Sequence, residues 1–176
     1  DYQVYAMCGD GEIQEGQIWE AAMWAGAHHL DNLTVIVDNN NLQIDGTVEE
    51  VCSPYPIDKK FEAFNFHVIN INGNDMEEIR NAFAEAKKVK GMPVAIIAKT
   101  TKGKGVSFME NQVGWHGKAP NDEQYAQAME ELEKDSVVLL EQLRTLDKRR
   151  LENYVCTLDR TEMEKINKAI RRLSLI

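Results

Sequence analysis

Apolar residues along the first three quarters of the chain fall into two kinds of run that alternate. Short runs rich in Val, Ile and Phe have the length of strands, and apolar residues spaced three or four apart are typical of amphipathic helices. The pattern predicts strands at about 3–8, 33–37, 66–71 and 93–99, and helices at about 15–30, 57–64, 75–90 and 121–132. Strands and helices in alternation predict an α/β fold with a doubly wound parallel sheet.

The first predicted strand has no polar face. Val4, Tyr5, Ala6 and Met7 follow one another without polar alternation. Such a run is typical of a strand that is buried on both faces. We therefore expect both faces of this strand to be covered.

A capping pattern marks the start of the third predicted helix. Asp75 precedes Glu78 by three residues, as in a capping box, where each side chain bonds the backbone of the other residue. The helix is expected to stop at Gly91, before Pro93. The adjacent His28 and His29 have no companion at metal-ligand spacing and are interpreted as residues at a helix end.

Two segments are predicted to lack regular structure. Residues 48–55 are expected to form an irregular connection, since Pro54 and Pro56 prevent regular pairing. Residues 100–119 are rich in glycine and too long for an idle connection. Three lysines beside or within this loop could attract an anionic phosphate or merely keep the loop solvated: Lys99, Lys102 and Lys104.

Polar residues follow the first two predicted strands. Gly9, Asp10 and Gly11 end the first, and an Asp-Asn-Asn-Asn run that includes Asn40 ends the second. If the two strands are neighbours, a carboxylate and an amide oxygen meet at the edge where ligands of parallel sheets bind. Magnesium prefers such hard oxygen ligands and often shares its shell with phosphates. Taken alone, the Asn run could be only a turn, because Asn tolerates left-handed backbone.

Three longer stretches resemble transketolase. They read GDGEIQEGQIWEAAMWAG, DNNNLQIDG and KTTKGKGVSFMENQVGWHG, and the resemblance covers about residues 1–133. It implies the thiamine-diphosphate-binding fold, here incomplete because the family's earlier histidines and Gly-rich loop are missing. A segment upstream of Asp1 is therefore expected to be absent.

The resemblance also implies a set of site residues. Asp10, Asn40 and the backbone carbonyl of Leu42 would bind Mg²⁺ (or Ca²⁺). The thiamine diphosphate would contact these residues and four others, of which the last would also face the donor sugar: Gly9, Gly11, Ile44 and His116. For His116 the alternative is a histidine that only packs within its loop.

Transfer of a two-carbon ketol unit between sugar phosphates is the activity that the resemblance implies, with a place in the pentose phosphate pathway. In the family, a second domain from the neighbouring subunit holds the aminopyrimidine and supplies the activating glutamate, and no segment here matches that domain. We therefore expect a chain that is inactive alone and needs a complementary pyrimidine-domain chain or a homodimer partner. Near that subunit contact, Trp19, Met23 and Trp24 either pack on the sheet or meet the partner.

Length and composition argue against several classes of protein. With 176 residues the chain has room for one core of useful size. No apolar run reaches the ~20 residues of a membrane helix, and no segment has the layout of a signal peptide. Three cysteines without metal spacing (Cys8, Cys52 and Cys156) are interpreted as incidental thiols in a reducing cytoplasm. The net charge of -9 argues against general affinity for nucleic acids.

The composition changes near Asp135, which divides the chain into domains at 1–135 and 136–176. All eleven glycines lie before Ser136, whereas the residues after it carry an excess of Lys and Arg. The stretches SVVLLEQLRTLDKRRL and LDRTEMEKINKAI resemble the carboxyl-terminal segment of MazF-like mRNA interferase toxins, and predict a short strand and a helix. Two alternatives to the transferase therefore stay open: a truncated fusion without activity, and a nucleic-acid-binding module built on this tail.

Overall fold

The structure is a computed structural model that describes residues 2–134. In chain order the elements are β1 (Val4–Gly9), α1 (Gly16–Ala27), β2 (Leu33–Asn39), β3 (Leu42–Gln43), β4 (Gly46–Thr47), α2 (Val48–Cys52), α3 (Ile57–Ala63), β5 (His67–Asn72), α4 (Met76–Ala86), β6 (Val94–Lys99) and α5 (Asp122–Lys134). Four strands form a parallel sheet in the order β1-β2-β6-β5, and β3 and β4 form a small antiparallel pair.

Helices cover both faces of the sheet. On one face, α1 and α3 pack through Ala22, Ala25 and Phe61 against alternate residues of β2 and β6. On the other face, α4 packs through Ala82 and Ala86 against Ile69, Val94 and Ile96. Because β6 lies between β2 and β5, it is buried on both faces, as its run of Val, Ala and Ile indicates. The predicted doubly wound α/β fold is confirmed.

The prediction that β1 is buried on both faces was wrong. β1 pairs only with β2 in the described part of the chain, so it forms an edge of the sheet. Tyr5 and Met7 are 46% and 54% exposed, although the Tyr5 ring contacts Phe83 of α4, with ring centroids 5.7 Å apart. Cys8, on the opposite face, belongs to the core. An apolar run therefore does not distinguish a central strand from an edge strand.

Helix α1 divides its aromatic residues between core and solvent. Trp19 packs against Phe61, with ring centroids 5.2 Å apart, as the sheet-packing alternative predicts. Met23 and Trp24 are both more than half exposed in the described structure. The Trp24 ring stacks on the His28 ring, and the carbonyl oxygen of Trp24 lies 3.0 Å from Nδ1 of His28. His28 and its neighbour therefore sit where the helix ends, as expected.

Capping decides how two of the helices begin. Asp75 accepts hydrogen bonds from the backbone N–H groups of Glu77 and Glu78, which confirms it as an N-cap. The reciprocal half of the predicted box is wrong, because Glu78 accepts from the N–H of Asn72 instead, at 2.7 Å. Helix α4 also ends at Ala86, before the predicted stop.

Residues 48–55 are not wholly irregular, contrary to the prediction. Thr47 and Glu50 form a complete capping box that starts the single turn of α2. Pro54 and Pro56 both follow that turn, so they do not prevent it. The peptide bond between Tyr55 and Pro56 is cis. Sequence reasoning gave weight to the prolines and overlooked the box.

Residues 100–121 form a long, mostly irregular loop that packs on α5. The carboxylate of Glu131 accepts bonds from the backbone N–H and the hydroxyl of Ser107, at 2.6 and 2.8 Å. The loop bends sharply at Gly103, whose φ is +72° and where an added Cβ would lie 2.6 Å from the Met109 carbonyl oxygen. The tail that was predicted from residue 136 onward lies outside the described residues. No helix within residues 2–134 has the length and apolarity that crossing a membrane needs.

Candidate functional site

The ends of β1 and β2 lie side by side, as the sequence predicted. Gly9 is the register partner of Asp38, and the N–H of Asp10 donates to the Asp38 carbonyl at 3.1 Å. The pairing thus continues one residue beyond β1. It places the first glycine turn against the Asn run that follows β2.

The Asp10 carboxylate lies at the centre of this junction. Asp10 is 1% exposed. One carboxylate oxygen accepts a hydrogen bond from the backbone N–H of Gly11 at 2.9 Å, and the other accepts from the backbone N–H of Asn41. Desolvation raises the pKa of Asp10, the two backbone bonds oppose the rise, and the charge of Asp38 adds to it. No Lys, Arg or His of the described chain forms an ion pair with Asp10. A buried carboxylate without a cationic partner is a site where a bound cation gains most.

Asn40 is held by hydrogen bonds at both ends of its amide. Its Oδ1 accepts from the N–H of Leu42 at 3.0 Å, and its Nδ2 donates to Asp38 Oδ2 at 3.1 Å. The other oxygen of Asp38 accepts from the hydroxyl of Thr100. Asn40 therefore stabilises the turn, as expected if the Asn run only forms a turn. Its Oδ1 still has a second lone pair that could bind a ligand.

Asn41 contains the one buried side-chain polar atom within residues 2–134 that has no hydrogen-bond partner, its Oδ1. Its backbone is left-handed, with φ of 64°, and its N–H reaches Asp10. A buried oxygen without a partner costs about 1–3 kcal/mol, so it needs an explanation. The junction therefore contains a buried carboxylate without a cationic partner and, on the residue whose N–H bonds that carboxylate, a buried oxygen without a hydrogen-bond donor.

The other predicted site residues differ in their burial and contacts. Gly11 lies against β3, where an added Cβ would come 3.0 Å from the Cβ of Gln43. Leu42, in the same strand, is buried, and Gly9 donates its N–H to Glu12 Oε2 at 3.0 Å. Ile44 is 71% exposed at the tip between β3 and β4. A larger residue at position 11 would therefore crowd Gln43 of β3.

His116 is not brought into contact with the junction. It is exposed and follows the short 3₁₀ turn Val113–Trp115, and its ring forms no hydrogen bond or ion pair to any residue between 2 and 134. The neighbouring Trp115 packs on Phe108 and donates its Nε1–H to the Phe108 carbonyl at 3.0 Å. Trp115 therefore packs within the loop, and the role of His116 stays a prediction.

Sequence reasoning missed Tyr55. Its hydroxyl donates to Asn39 Oδ1 at 2.6 Å. Burial raises the pKa of Tyr55, and the charges of Asp10 and Glu49 raise it further. No sequence signal could have found it, because the turn through Pro56 brings this ring under the ends of the strands only in the folded chain.

The oxygen atoms at this junction fit a small, hard cation. No group of three or more His, Cys, Asp or Glu side chains that could hold a metal occurs in the described part of the chain. The atoms present are one carboxylate, amide oxygens and backbone carbonyls, which suit Mg²⁺ or Ca²⁺ and not Zn²⁺. The carboxylate without a counter-ion and the unpartnered Asn41 oxygen agree with such an ion.

Comparisons with known proteins point to one family. The family model described as transketolase, thiamine diphosphate binding domain, matches residues 1–146. The chain is 43% identical over 132 residues to a 6-deoxy-6-sulfo-D-fructose transketolase subunit from Clostridium sp. (strain MSTE9), which covers 75% of this chain and 48% of that protein. It is 45% identical over 132 residues to an apulose-4-phosphate transketolase subunit from Phocaeicola vulgatus, covering 75% of this chain and 47% of that protein. The chain thus spans about half the length of these curated relatives.

The fold agrees with the sequence relation. The crystal structure of transketolase from Campylobacter jejuni superposes with a TM-score of 0.69 at 43% identity, over 74% of this chain and 20% of that one. None of these matches supports the predicted resemblance of the tail to MazF-like toxins. Sequence and fold together place the chain in the transketolase family, as a thiamine-diphosphate-binding domain.

Proposed function

We propose that this chain is the diphosphate- and magnesium-binding part of a transketolase that transfers a two-carbon ketol unit between sugar phosphates. One observation carries the proposal. Where β1 and β2 end, the buried Asp10 carboxylate has no cationic partner in the described chain and accepts a bond from the N–H of Asn41, whose side-chain oxygen is buried and unpartnered. The family's domain binds thiamine diphosphate, which supports a diphosphate ligand for this chain.

Three oxygens of the chain would hold the magnesium ion. Asp10 supplies the charged ligand, and the Asn40 side chain and the Leu42 carbonyl supply neutral ones. Gly9 and Gly11, which have no side chains, let the diphosphate approach the backbone. Ile44, exposed at the tip of the β3–β4 pair, contributes an apolar contact to the cofactor.

Thiamine diphosphate supplies the carbanion chemistry when bound, and the protein binds and orients it. The exposed His116 imidazole lies on the loop that follows β6. It would contact the cofactor and the donor sugar. A neutral imidazole can hydrogen-bond a sugar hydroxyl or stabilise charge that develops next to it. His116 is the catalytic residue that we assign to this chain.

The site is expected to need a second chain. Magnesium held by one carboxylate and two neutral oxygens keeps most of its water unless phosphates replace it. Two of the relatives are named as transketolase subunits, and the chain covers about half of each. We therefore propose that a complementary pyrimidine-domain chain, or a homodimer partner that contains such a domain, completes the site in the cytoplasm. The chain alone is inactive.

A complementation assay tests the proposal. The chain is mixed with a transketolase pyrimidine-domain subunit, saturating thiamine diphosphate and Mg²⁺, and ketol transfer from a ketose phosphate to an aldose phosphate is followed. We expect transfer only when both chains are present, and its loss in His116→Ala. A matched histidine change at the opposite end of the strands, His67→Ala at the start of β5, should leave transfer intact. Absence of transfer, while a full-length transketolase is active under the same conditions, would contradict the proposal.

A further inference from the structure

A cleft lies where β6 and β5 end, at the same carboxyl end of the sheet as the junction of β1 and β2. Its volume is about 630 Å³, and ten residues line it: Asn39, Asn70, Ile71, Asn72, Asn74, Glu78, Ile97, Lys99, Thr100 and Thr101. None of them belongs to the residues assigned above to the magnesium ion, the diphosphate or the sugar. Four asparagines and a lysine in one cleft are an unusual concentration of hydrogen-bond donors.

The strand register explains why these residues meet. Lys99 is the Cα partner of Asn39 on one side and of Asn72 on the other. Equivalent positions of paired parallel strands face the same side of the sheet. The three side chains therefore form a row across β2, β6 and β5, with the ammonium group flanked by two amides.

Internal hydrogen bonds decide which end of each amide is available. Asn39 Oδ1 accepts from the Tyr55 hydroxyl, and Asn72 Oδ1 accepts from the N–H of Asn74 at 3.1 Å. Asn74 Oδ1 accepts from the N–H of Thr101 at 2.8 Å. Their oxygens are thus occupied, whereas their NH₂ groups find no acceptor within residues 2–134. A backbone N–H can only donate, so the orientation of the last two amides is fixed by chemistry.

The charges of the cleft favour an anion that also carries hydroxyl groups. Lys99 forms no ion pair with any residue of the described chain. Glu78 is the one carboxylate that lines the cleft, and its Oε2 already accepts from the Asn72 N–H. Its second oxygen is an acceptor for a hydroxyl group. The volume exceeds what a single inorganic anion fills.

We propose that this cleft binds the phosphate group of a small hydroxylated molecule, with the phosphate at Lys99 and the flanking amides of Asn39 and Asn72. Ammonium and amide N–H groups bind phosphate oxygens, and the charged contact is the stronger. This site is separate from the magnesium site and does not depend on it. Free phosphate and phosphate esters share the recognition, so the test uses both.

Chemical-shift titration of the full chain tests the site, with chelator present to remove divalent ions and with ionic strength held constant. The probes are inorganic phosphate, glycerol 3-phosphate and glycerol. We expect both phosphates to shift the amide signals of β5, β6 and residues 100–101, with glycerol 3-phosphate the tighter ligand. Glycerol alone should bind much more weakly. Stronger binding of inorganic phosphate would identify free phosphate as the ligand and would overturn the assignment to an ester.

Charge changes of opposite sign make the test sharper. Lys99→Met should weaken glycerol 3-phosphate binding about tenfold, as expected for a lost charge-assisted hydrogen bond. Glu78→Gln keeps the acceptor for Asn72 but removes the negative charge, so it should strengthen the binding of inorganic phosphate, which carries no glycerol hydroxyl groups, about twofold. Asn70→Ala removes an exposed amide that has no side-chain bond in the described chain, so it should weaken binding without affecting folding.

Lys90→Met is the matched control, because this exposed lysine precedes β6 and lies outside the cleft. It should bind like the wild-type chain. Equal weakening in Lys90→Met and Lys99→Met would show general charge attraction and would overturn the proposal. So would the absence of binding by both phosphates, or weaker binding of inorganic phosphate in Glu78→Gln, in variants whose spectra show a folded chain.

Discussion

The carboxyl end of the sheet has two parts that differ in the hydrogen-bonding groups they present. Where β1 and β2 end, a nearly inaccessible carboxylate and an unpartnered amide oxygen lie together, so this junction offers acceptors. Where β6 and β5 end, Lys99 and three amide NH₂ groups line an open cleft, so this part offers donors. We propose a cation for the first part and an anion for the second. Position along the sheet edge, more than overall net charge, decides which ligand each part can take.

The two parts are connected through β2 and the residues bonded to it. Asp38 accepts from Asn40 on one side and from Thr100, a residue that lines the cleft, on the other. Tyr55 bonds Asn39 and lies close enough to Asp10 for that charge to raise its pKa. Changes at these linking residues therefore separate the roles of the two parts.

The largest expected effect comes from filling space under the cleft. In Gly73→Ala the new Cβ would lie 2.5 Å from Thr100 Cγ2 and 2.9 Å from Ala98 Cβ. We expect a loss of about 2–3 kcal/mol in the free energy of unfolding, because the tightly packed strand ends must move. Urea denaturation followed by circular dichroism measures it. Gly16→Ala, where no atom lies within 4 Å, is the control, and an equal loss in both would contradict the packing argument.

Thr100→Val should have the next largest effect. It keeps the size of the side chain and removes the hydroxyl that donates to Asp38, so a partly buried carboxylate loses a bond. We expect a loss of about 1.5 kcal/mol in the free energy of unfolding. Magnesium-dependent cofactor binding should weaken as well, since Asp38 also holds Asn40. Unchanged cofactor binding in this variant would show that Asp38 does not orient Asn40.

Tyr55→Phe removes one hydrogen bond between neutral groups, so its effect should be smaller. We expect a loss of about 1 kcal/mol in the free energy of unfolding. Because the Asn39 amide is then free to turn, phosphate binding in the cleft should weaken while magnesium binding is retained. Weakening of magnesium binding alone would reverse the roles assigned to the two parts.

The smallest expected effect is a pH dependence of stability without metal. The folded chain raises the pKa of Asp10 above its ordinary value of 3.8, so the protonated carboxyl is favoured by folding. That contribution is complete below 3.8 and is lost as pH rises through the raised pKa. The free energy of unfolding should therefore fall less over this range in Asp10→Asn than in the wild-type chain. Parallel curves from denaturation at several pH values would contradict it.

Some of the fold and site could be predicted from local sequence. The Val and Ile runs indicated the strands, and the glycine turn and the Asn run identified two strand ends that the structure pairs. The exposure of β1 could not be predicted, because the apolar run from Val4 to Met7 does not encode which neighbours cover it. Asp38 lay within the run that sequence reasoning singled out, yet its bond to Thr100 depends on β6 lying beside β2.

The phosphate-binding cleft lay beyond sequence reasoning for a related reason. Asn39, Asn72 and Lys99 are far apart in the chain, and only the register of three strands aligns them. For the lysines near residue 100, the sequence left phosphate attraction and solvation as open alternatives. The sheet order distinguishes Lys99, which lines the cleft, from Lys104, which pairs with Glu110.

Calorimetry of thiamine diphosphate binding to the purified chain, with and without Mg²⁺, tests the central claim most directly. We predict binding that requires magnesium and that weakens by at least about 1.5 kcal/mol, roughly tenfold, in Asp10→Asn, because the charged ligand is lost. The exposed control Asp122→Asn should bind like the wild-type chain. Equal affinity in the wild-type and Asp10→Asn chains would contradict a cation site at the paired ends of β1 and β2.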